Sequence, residues 1–384
     1  MSGDTKFSLK AVVFVAAAYA SYGIGSGFAT GQEVIQHFAS WGAPACFIAL
    51  ILCFATYAYY CGSCYRAGLS NDFTKESDAY VYFCGKYLGR AIDYFSVVLV
   101  FLFIIAMFSG CSSTINQFFG IDPIIGAIIM GLASGLTVAL GLRKVQDILG
   151  CLGVVFIIYI VFFGIYALIK ADVSLAVSTI NLPQYVAEGK VMQVTCFGIA
   201  SATTSGLSYG CVGLITAFPF LVSLGKRVNS NREATISGIS TGFFYTLAAM
   251  LVVFIILFNL DFVAENGVQV PLLAAIQSLA PGIAWSFAII LMLGIYTTIT
   301  GYIWFVGGRF APDKTTKSRL IAAALAVVGV FGGYIIPFNA IVNVLYPVTG
   351  YAGAILMICM IVKDVKLAKA AKQAKNEACG ENIV

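Results

Sequence analysis

Charge is what this sequence has least of: only 10% of its 384 residues are Asp, Glu, Lys or Arg, where water-soluble domains carry about 25%. Most of the chain therefore cannot face water. Histidine is scarcer still, with His37 the single copy, and no pair of carboxylates falls inside an apolar run. That scarcity removes the cluster of nucleophile, base or metal ligands that an intramembrane enzyme would need, so no enzymatic activity is expected. Lys and Arg are absent from mid-span positions, and the basic excess of +5 sits in polar breaks, which does not point to nucleic acid. A small-residue cleavage site is missing after the first apolar stretch, near Leu9, so a removable signal peptide is not expected. The eleven cysteines do not form a disulfide pattern. Most, including Cys46, Cys53, Cys111, Cys151, Cys196 and Cys359, lie in apolar runs where Cys acts as a small hydrophobe. The Cys61 and Cys64 pair alone offers too few ligands for a closed zinc site.

What the chain has in abundance is apolar length. Hydrophobic residues make up 60% of it, with a mean hydropathy of +0.94. A helix needs roughly 20 apolar residues to cross a bilayer, and the pattern predicts an all-α integral membrane protein with ten spans, near 11–38, 43–66, 88–117, 123–141, 146–169, 192–224, 233–258, 282–308, 319–336 and 339–363. Basic loops stay in the cytoplasm. With the N-terminus inside, only Lys170 and Lys190 of the 22 basic residues fall on the outer side, which predicts a bacterial inner-membrane protein with both termini cytoplasmic. The Lys-rich tail reads as a helix facing solvent or lipid headgroups.

Two spans carry dense clusters of small residues at corresponding places. Span 1 holds Ser21-Tyr22-Gly23-Ile24-Gly25-Ser26-Gly27; span 6 holds Ser205-Gly206-Leu207-Ser208-Tyr209-Gly210-Cys211-Val212-Gly213. Such clusters also let membrane helices pack closely. Recurring in matched spans, they predict helices 1 and 6 broken at mid-membrane. Five spans per half then give an inverted repeat in one transmembrane domain, 1–384, with repeat one about 9–170, repeat two about 190–363 and a cytoplasmic tail at 364–384. The connector at 259–281 is expected as an external re-entrant helix.

A broken helix frees backbone N–H groups at one end and C=O groups at the other, and these demand a ligand. The N–H end favours a carboxylate and the carbonyl end an ammonium or metal cation. A zwitterion matches both. The expected substrate contacts are Gly25, Ser26 and Gly27 for the carboxylate, and Gly23, Leu207, Ser208 and Gly210 for the amine. The side-chain pocket is expected from Phe103, Met107, Phe108 and Tyr209.

These residues resemble a known family. Ile24-Gly25-Ser26-Gly27-Phe28 is similar to the I-G-S-G-I-F signature of helix 1 in the amino acid-polyamine-organocation superfamily, with its LeuT-type five-plus-five fold. The longer string from Gly25 to Glu33 resembles the YkvI-like branch of bacterial membrane proteins. Leu207-Ser208-Tyr209-Gly210 resembles the superfamily's F-A-Y-G break. Gln32 and Glu33 stand where the family usually has apolar residues, and Cys211 and Val212 replace the bulkier residues often found after its helix-6 break. The resemblance implies alternating access, with the substrate's amine and carboxylate held at the two breaks.

Gly294, Thr297 and Thr298 in span 8 offer three oxygens to a hard cation, with carbonyls of Ala20 and Gly23 to complete the set. This resembles the second sodium site of LeuT-fold symporters and makes Na+ the expected coupling ion, with no other cofactor. Threonine pairs also back-bond to the preceding turn. Glu33, an acid inside span 1, is costly to bury without a role; with His37 one turn on, it is a candidate gate or proton carrier. The expected function is secondary active transport of an amino acid or similar small zwitterion. A sodium-independent, proton-coupled carrier or exchanger of amines or other small organic solutes, or a ligand sensor that does not transport, stands as the alternative.

Overall fold

The computed structural model describes residues 7–23, 26–73, 76–140, 143–172, 174–267, 269–312 and 314–380. Among these the chain is helical without a β-strand. The first expected span is divided into α1 (Leu9–Gly23), α2 (Ser26–Thr30) and α3 (Gln32–His37), followed by α4 (Ala45–Ser70), α5 (Glu76–Cys84) and α6 (Lys86–Phe119). Next come α7 (Pro123–Leu140), α8 (Arg143–Lys170), the short α9 (Leu175–Ser178) and α10 (Leu182–Ala187), and α11 (Ala202–Leu224). The remainder is α12 (Asn231–Leu257), α13 (Leu260–Asn266), α14 (Pro271–Leu279), α15 (Pro281–Gly308), α16 (Thr316–Ile335) and α17 (Phe338–Gly380). Each expected span overlaps helix, but residues 192–201 of the expected sixth span are not helical and α11 starts only at Ala202; the expected tail continues the last helix to Gly380.

Seven helices among the described residues are long and apolar enough to cross a membrane; Leu9–Tyr19 and Pro123–Ala139 are shorter apolar helices. The outward faces of α7 and α8 expose Ile129, Leu132 and Leu136, and Ile158, Phe162 and Ile169. Leu132 is 62% exposed. Soluble monomers rarely leave contiguous apolar surface of this kind uncovered; a lipid-facing surface requires it. The chain is a multi-pass membrane protein. Inside the bundle, hydroxyls that would otherwise be orphaned in an apolar medium bond to the preceding turn, as Thr114 does to Gly110 O (2.7 Å) and Ser134 to Met130 O (2.7 Å).

The centre of the bundle is α4, which packs against α11 and α12, while α17 packs along the opposite side of α11. This arrangement corrects the expected break in span 6. The helix is wound without interruption across Ser205–Gly213, because its glycines serve close approach. A Cβ on Gly206 would meet the Ala49 backbone, and one on Gly210 would lie 2.7 Å from Thr56 Cβ, both on α4. The irregular backbone lies earlier, before Ser201, whose hydroxyl accepts from Thr204 N (3.2 Å) and caps α11. There Cys196 and Ile199 exchange backbone hydrogen bonds around Phe197 (φ 55°) and Gly198 (φ 72°).

In the first span, helix ends at Gly23 and resumes at Ser26; Ile24 and Gly25 lie outside the described residues. Gly31 turns the chain between α2 and α3 with φ 83°, a conformation that favours glycine. A Cβ there would lie 2.7 Å from the Leu272 backbone nitrogen. In the 259–281 connector, α14 buries Leu272 and Leu273 completely. Its entry is pinned by Gln117 of α6, whose Nε2 donates to Val270 O (3.1 Å) and whose Oε1 accepts from Val270 N (3.0 Å).

Candidate functional site

Where α1, α2 and α3 meet α4, α6, α11, α12, α15 and α17, the bundle forms a cavity of about 50 Å³. Its wall is made largely of tyrosine: Tyr19 and Tyr22 from α1, Tyr57 from α4, Tyr209 from α11, Tyr245 from α12, Tyr302 from α15 and Tyr346 from α17. Glu33 is the one acidic or basic side chain among the described lining residues. A water needs about 10–15 Å³ of such space, so the cavity as it stands has room for only a few waters.

Glu33 is 8% exposed. Tyr209 donates its hydroxyl to Glu33 Oε2 at 2.6 Å, and Tyr346 donates to Oε1. The Tyr209 and Tyr245 hydroxyls lie 2.7 Å apart, so the carboxylate ends a hydrogen-bonded series. Phe103 packs edge-on against Tyr346 with ring centres 5.3 Å apart, holding that ring over the acid. The carboxylate also lies against Gly27, where any Cβ would fall on Glu33 Oε1 and on the Tyr346 hydroxyl. Gly27 is thus small because Glu33 occupies the place of its side chain.

Of the expected substrate residues, Gly23, Gly27 and Tyr209 line this cavity, as do Phe103 and Met107. Gly25 lies outside the described residues, and of Ser26 only the backbone is described, opening α2. Leu207, Ser208 and Gly210 do not reach the cavity. On a continuous helix the residues sharing a face with Tyr209 are those three, four and seven positions on, and Val212, Gly213 and Thr216 are the ones that line it. Leu207 instead points outward at 42% exposure, Ser208 packs on Gly350 of α17 and Gly210 on α4. Phe108 packs against Gly329 and Gly333 of α16.

His37, expected as the partner of Glu33, is fully buried and turned to α11: its Nδ1 lies 3.3 Å from Ser205 Oγ and 3.4 Å from Ser205 O. Ser205 Oγ donates to the His37 carbonyl at 2.8 Å. Histidine and carboxylate are bridged by the two tyrosines that donate to Glu33, the Tyr209 ring centre lying 4.9 Å and the Tyr346 ring centre 6.1 Å from the imidazole.

In α15 both threonine hydroxyls donate to the Gly294 carbonyl, Thr297 at 2.7 Å and Thr298 at 3.0 Å. Thr298 and Gly23 line the cavity while Thr297 does not; Ala20 lies within α1. No group of three or more His, Cys, Asp or Glu side chains is disposed to hold a metal among the described residues.

Sequence reasoning missed Tyr19, Tyr22, Tyr57, Tyr245, Tyr302 and Tyr346. The signal was there in the twenty tyrosines of so apolar a chain. A buried phenol needs a hydrogen-bond partner, and the apolar spans offer few partners other than one another and Glu33.

No family model matches the chain. It is similar to the uncharacterized membrane protein YkvI of Bacillus subtilis, 21% identical over 360 residues that cover 94% of this chain and 97% of that protein. Among solved structures, a mutant of the Eremococcus coleocola manganese transporter aligns over 94% of this chain and 80% of its own, at 14% identity and a TM-score of 0.49. The nucleobase-cation-symport-1 family transporter Mhp1, closed with bromovinylhydantoin bound, aligns over 90% and 74%, at 16% identity and a TM-score of 0.45.

Proposed function

We propose that this chain is a secondary transporter whose cargo is a small amine-bearing solute, an amino acid or related zwitterion, with the ammonium received by Glu33. The carrying observation is the lone carboxylate: Glu33 faces the cavity among seven tyrosines, with no Lys or Arg in the described wall. A buried acid without a cation is expensive, and an incoming ammonium supplies one. The tyrosine faces add cation–π attraction from several sides. The carbonyl of Gly23 is a second acceptor for the amine, and the amides of Gly25, Ser26 and Gly27 are assigned to the carboxylate. So small a volume implies that cargo enters a wider conformation, as alternating access requires.

Thermal-shift screening of the purified protein with amino acids, amines and amine-free carboxylates tests this. Amine-bearing ligands should raise the melting temperature of the wild type and not of Glu33→Gln. Stabilisation by amine-free carboxylates, equal in both proteins, would overturn the assignment.

Sodium coupling through Gly294, Thr297 and Thr298, with carbonyls of Ala20 and Gly23, is a second reading. It is favoured by Thr298 and Gly23 facing the same cavity. Proteoliposome uptake in sodium against choline decides it, full activity in choline removing the ion from the cycle.

A further inference from the structure

A hydroxyl buried in an apolar bundle must place its proton on an acceptor. Around the cavity most of these protons are committed to the protein. Tyr209 and Tyr346 donate to Glu33. With the Tyr209 proton on the acid, the 2.7 Å hydrogen bond between Tyr209 and Tyr245 is donated by Tyr245. Tyr22 donates to Thr216 O at 2.8 Å, Thr216 to Val212 O at 3.2 Å and Thr298 to Gly294 O at 3.0 Å. The hydroxyls of Tyr57, Tyr60 and Tyr19 gather over Gly213, where a Cβ would meet all three, and those of Tyr19 and Tyr60 lie 3.1 Å apart.

Tyr302 of α15 is the exception. It lines the cavity, four residues on from Thr298 and so on the same helix face, yet among the described residues its hydroxyl makes no hydrogen bond. Its ring packs against Phe103 with centres 6.3 Å apart, and Phe103 also packs against Tyr346. Tyr302 is therefore one ring removed from a tyrosine that donates to Glu33, and within electrostatic reach of the acid itself. A water can accept its proton in the empty cavity. Cargo that displaces the water must bring an acceptor or leave the phenol bare.

We propose that Tyr302 reads the carboxylate of the cargo: its hydroxyl donates to a carboxylate oxygen while Glu33 holds the ammonium, so the site selects amino acids over amines with the same side chain. This rests on the reading of Glu33 as the ammonium site. A carboxylate suits an uncommitted phenol because a hydrogen bond to a charged oxygen is roughly twice as strong as one between neutral groups. No Lys or Arg in the described wall competes for it. α15 also packs on α2, whose opening amides are the other donors assigned to the carboxylate, so the two sets of donors stand on neighbouring helices. An amine without the acid leaves the Tyr302 proton unpaired, which is how a polar site rejects an analogue that lacks one group.

The test compares ligands that differ only in the carboxylate. Alanine, leucine and phenylalanine are titrated calorimetrically into purified full-length protein beside ethylamine, 3-methylbutylamine and phenethylamine, which carry the same side chains without the acid; weak amines are read by competition against the amino acid. In Tyr302→Phe, the dissociation constant of the amino acid that binds wild type most tightly should rise about tenfold or more, while that of its matched amine stays unchanged. The variant keeps the ring and loses no hydrogen bond to a described residue, so its ligand-free melting temperature should equal that of wild type, and the amine titration shows that the cavity is intact. Equal loss for amino acid and amine, or no loss for either, would overturn the carboxylate role and leave the ammonium reading standing. If none of the six binds wild type, the ammonium reading falls and the role of Tyr302 falls with it.

Discussion

Replacing Glu33 by Gln separates charge from shape. The amide fills nearly the same volume, its oxygen accepting from one of the two tyrosines that now donate to Glu33 and its NH2 donating to the hydroxyl oxygen of the other, so the fold is retained while the negative charge is lost. For an ammonium about 4 Å from the carboxylate at an effective dielectric of about 20, the attraction is about 4 kcal/mol. Stripping water from both ions takes back part of it, leaving the ~1.5–3 kcal/mol typical of a hydrogen bond to a charged group. The dissociation constant for an amine-bearing ligand should therefore rise between about tenfold and about 150-fold. Isothermal titration of wild type and variant, with the ligand that gives the largest thermal shift, measures it directly. An unchanged constant for a ligand that still requires its amine would refute the assignment, because the ammonium would then be held elsewhere.

The opposite end of α1 is tied down by Glu233, whose Oε1 accepts from Ser8 N (2.6 Å) and whose Oε2 accepts from Asn229 N (2.8 Å) and Nδ2 (3.0 Å). Glu233→Ala should lower the unfolding free energy by about 2–4 kcal/mol and quicken protease cleavage ahead of α1, both read in one limited-proteolysis series. Thr298→Ala removes the cavity-facing hydroxyl of the sodium set; if sodium couples there, the sodium concentration for half-maximal uptake rises about tenfold or more, and an unchanged value removes Thr298 from the cycle. At the loop after α4, the Lys226 ammonium hydrogen-bonds to Asp72 and adds its charge, holding that carboxyl below its ordinary value. The depressed value means the bridge stabilises above the ordinary carboxylate range and fades as pH falls through the folded value. Both groups are well exposed, so Asp72→Asn should lower the neutral-pH melting temperature only slightly, by a difference that vanishes as the pH falls through the folded value.

Helix positions were legible because hydropathy in a membrane chain reports burial in lipid directly. The nine-residue glycine and serine cluster of span 6 misled for the same reason that makes such proteins robust. Propensity measured in water penalises glycine, but in hydrocarbon no water competes for the backbone bonds, so α11 stays wound and its glycines let α4 approach. The pairing of Glu33 with His37 followed from four-residue spacing on a helix. The fold instead brings Tyr209 and Tyr346, 176 and 313 residues away in sequence, and no local pattern announces such partners. Tyr209, Gly23 and Gly27, which line the cavity, were legible as a group because each lies in a segment whose composition departs from an ordinary apolar span.

The string from Gly25 to Glu33 makes sense as one device rather than a break followed by a stray acid. In an unbroken helix, residues 27 and 33 would be about 9 Å apart along the axis and about 240° apart around it, on different faces and out of reach. The left-handed turn at Gly31 folds α3 back so that Glu33 sets its carboxylate on the Cα of Gly27. The second and third glycines of the segment therefore work together, one turning the chain and the other vacating the space that the acid fills. Gly27→Ala should then resemble Glu33→Gln in losing amine affinity, by about tenfold or more, though it removes no charge and no donor. Its methyl must push the carboxylate away from the Tyr346 hydroxyl, so the infrared band of the Glu33 carboxyl should also shift in frequency relative to wild type. A variant that binds amines normally, with that band unmoved, would mean that Gly27 and Glu33 are neighbours without being partners.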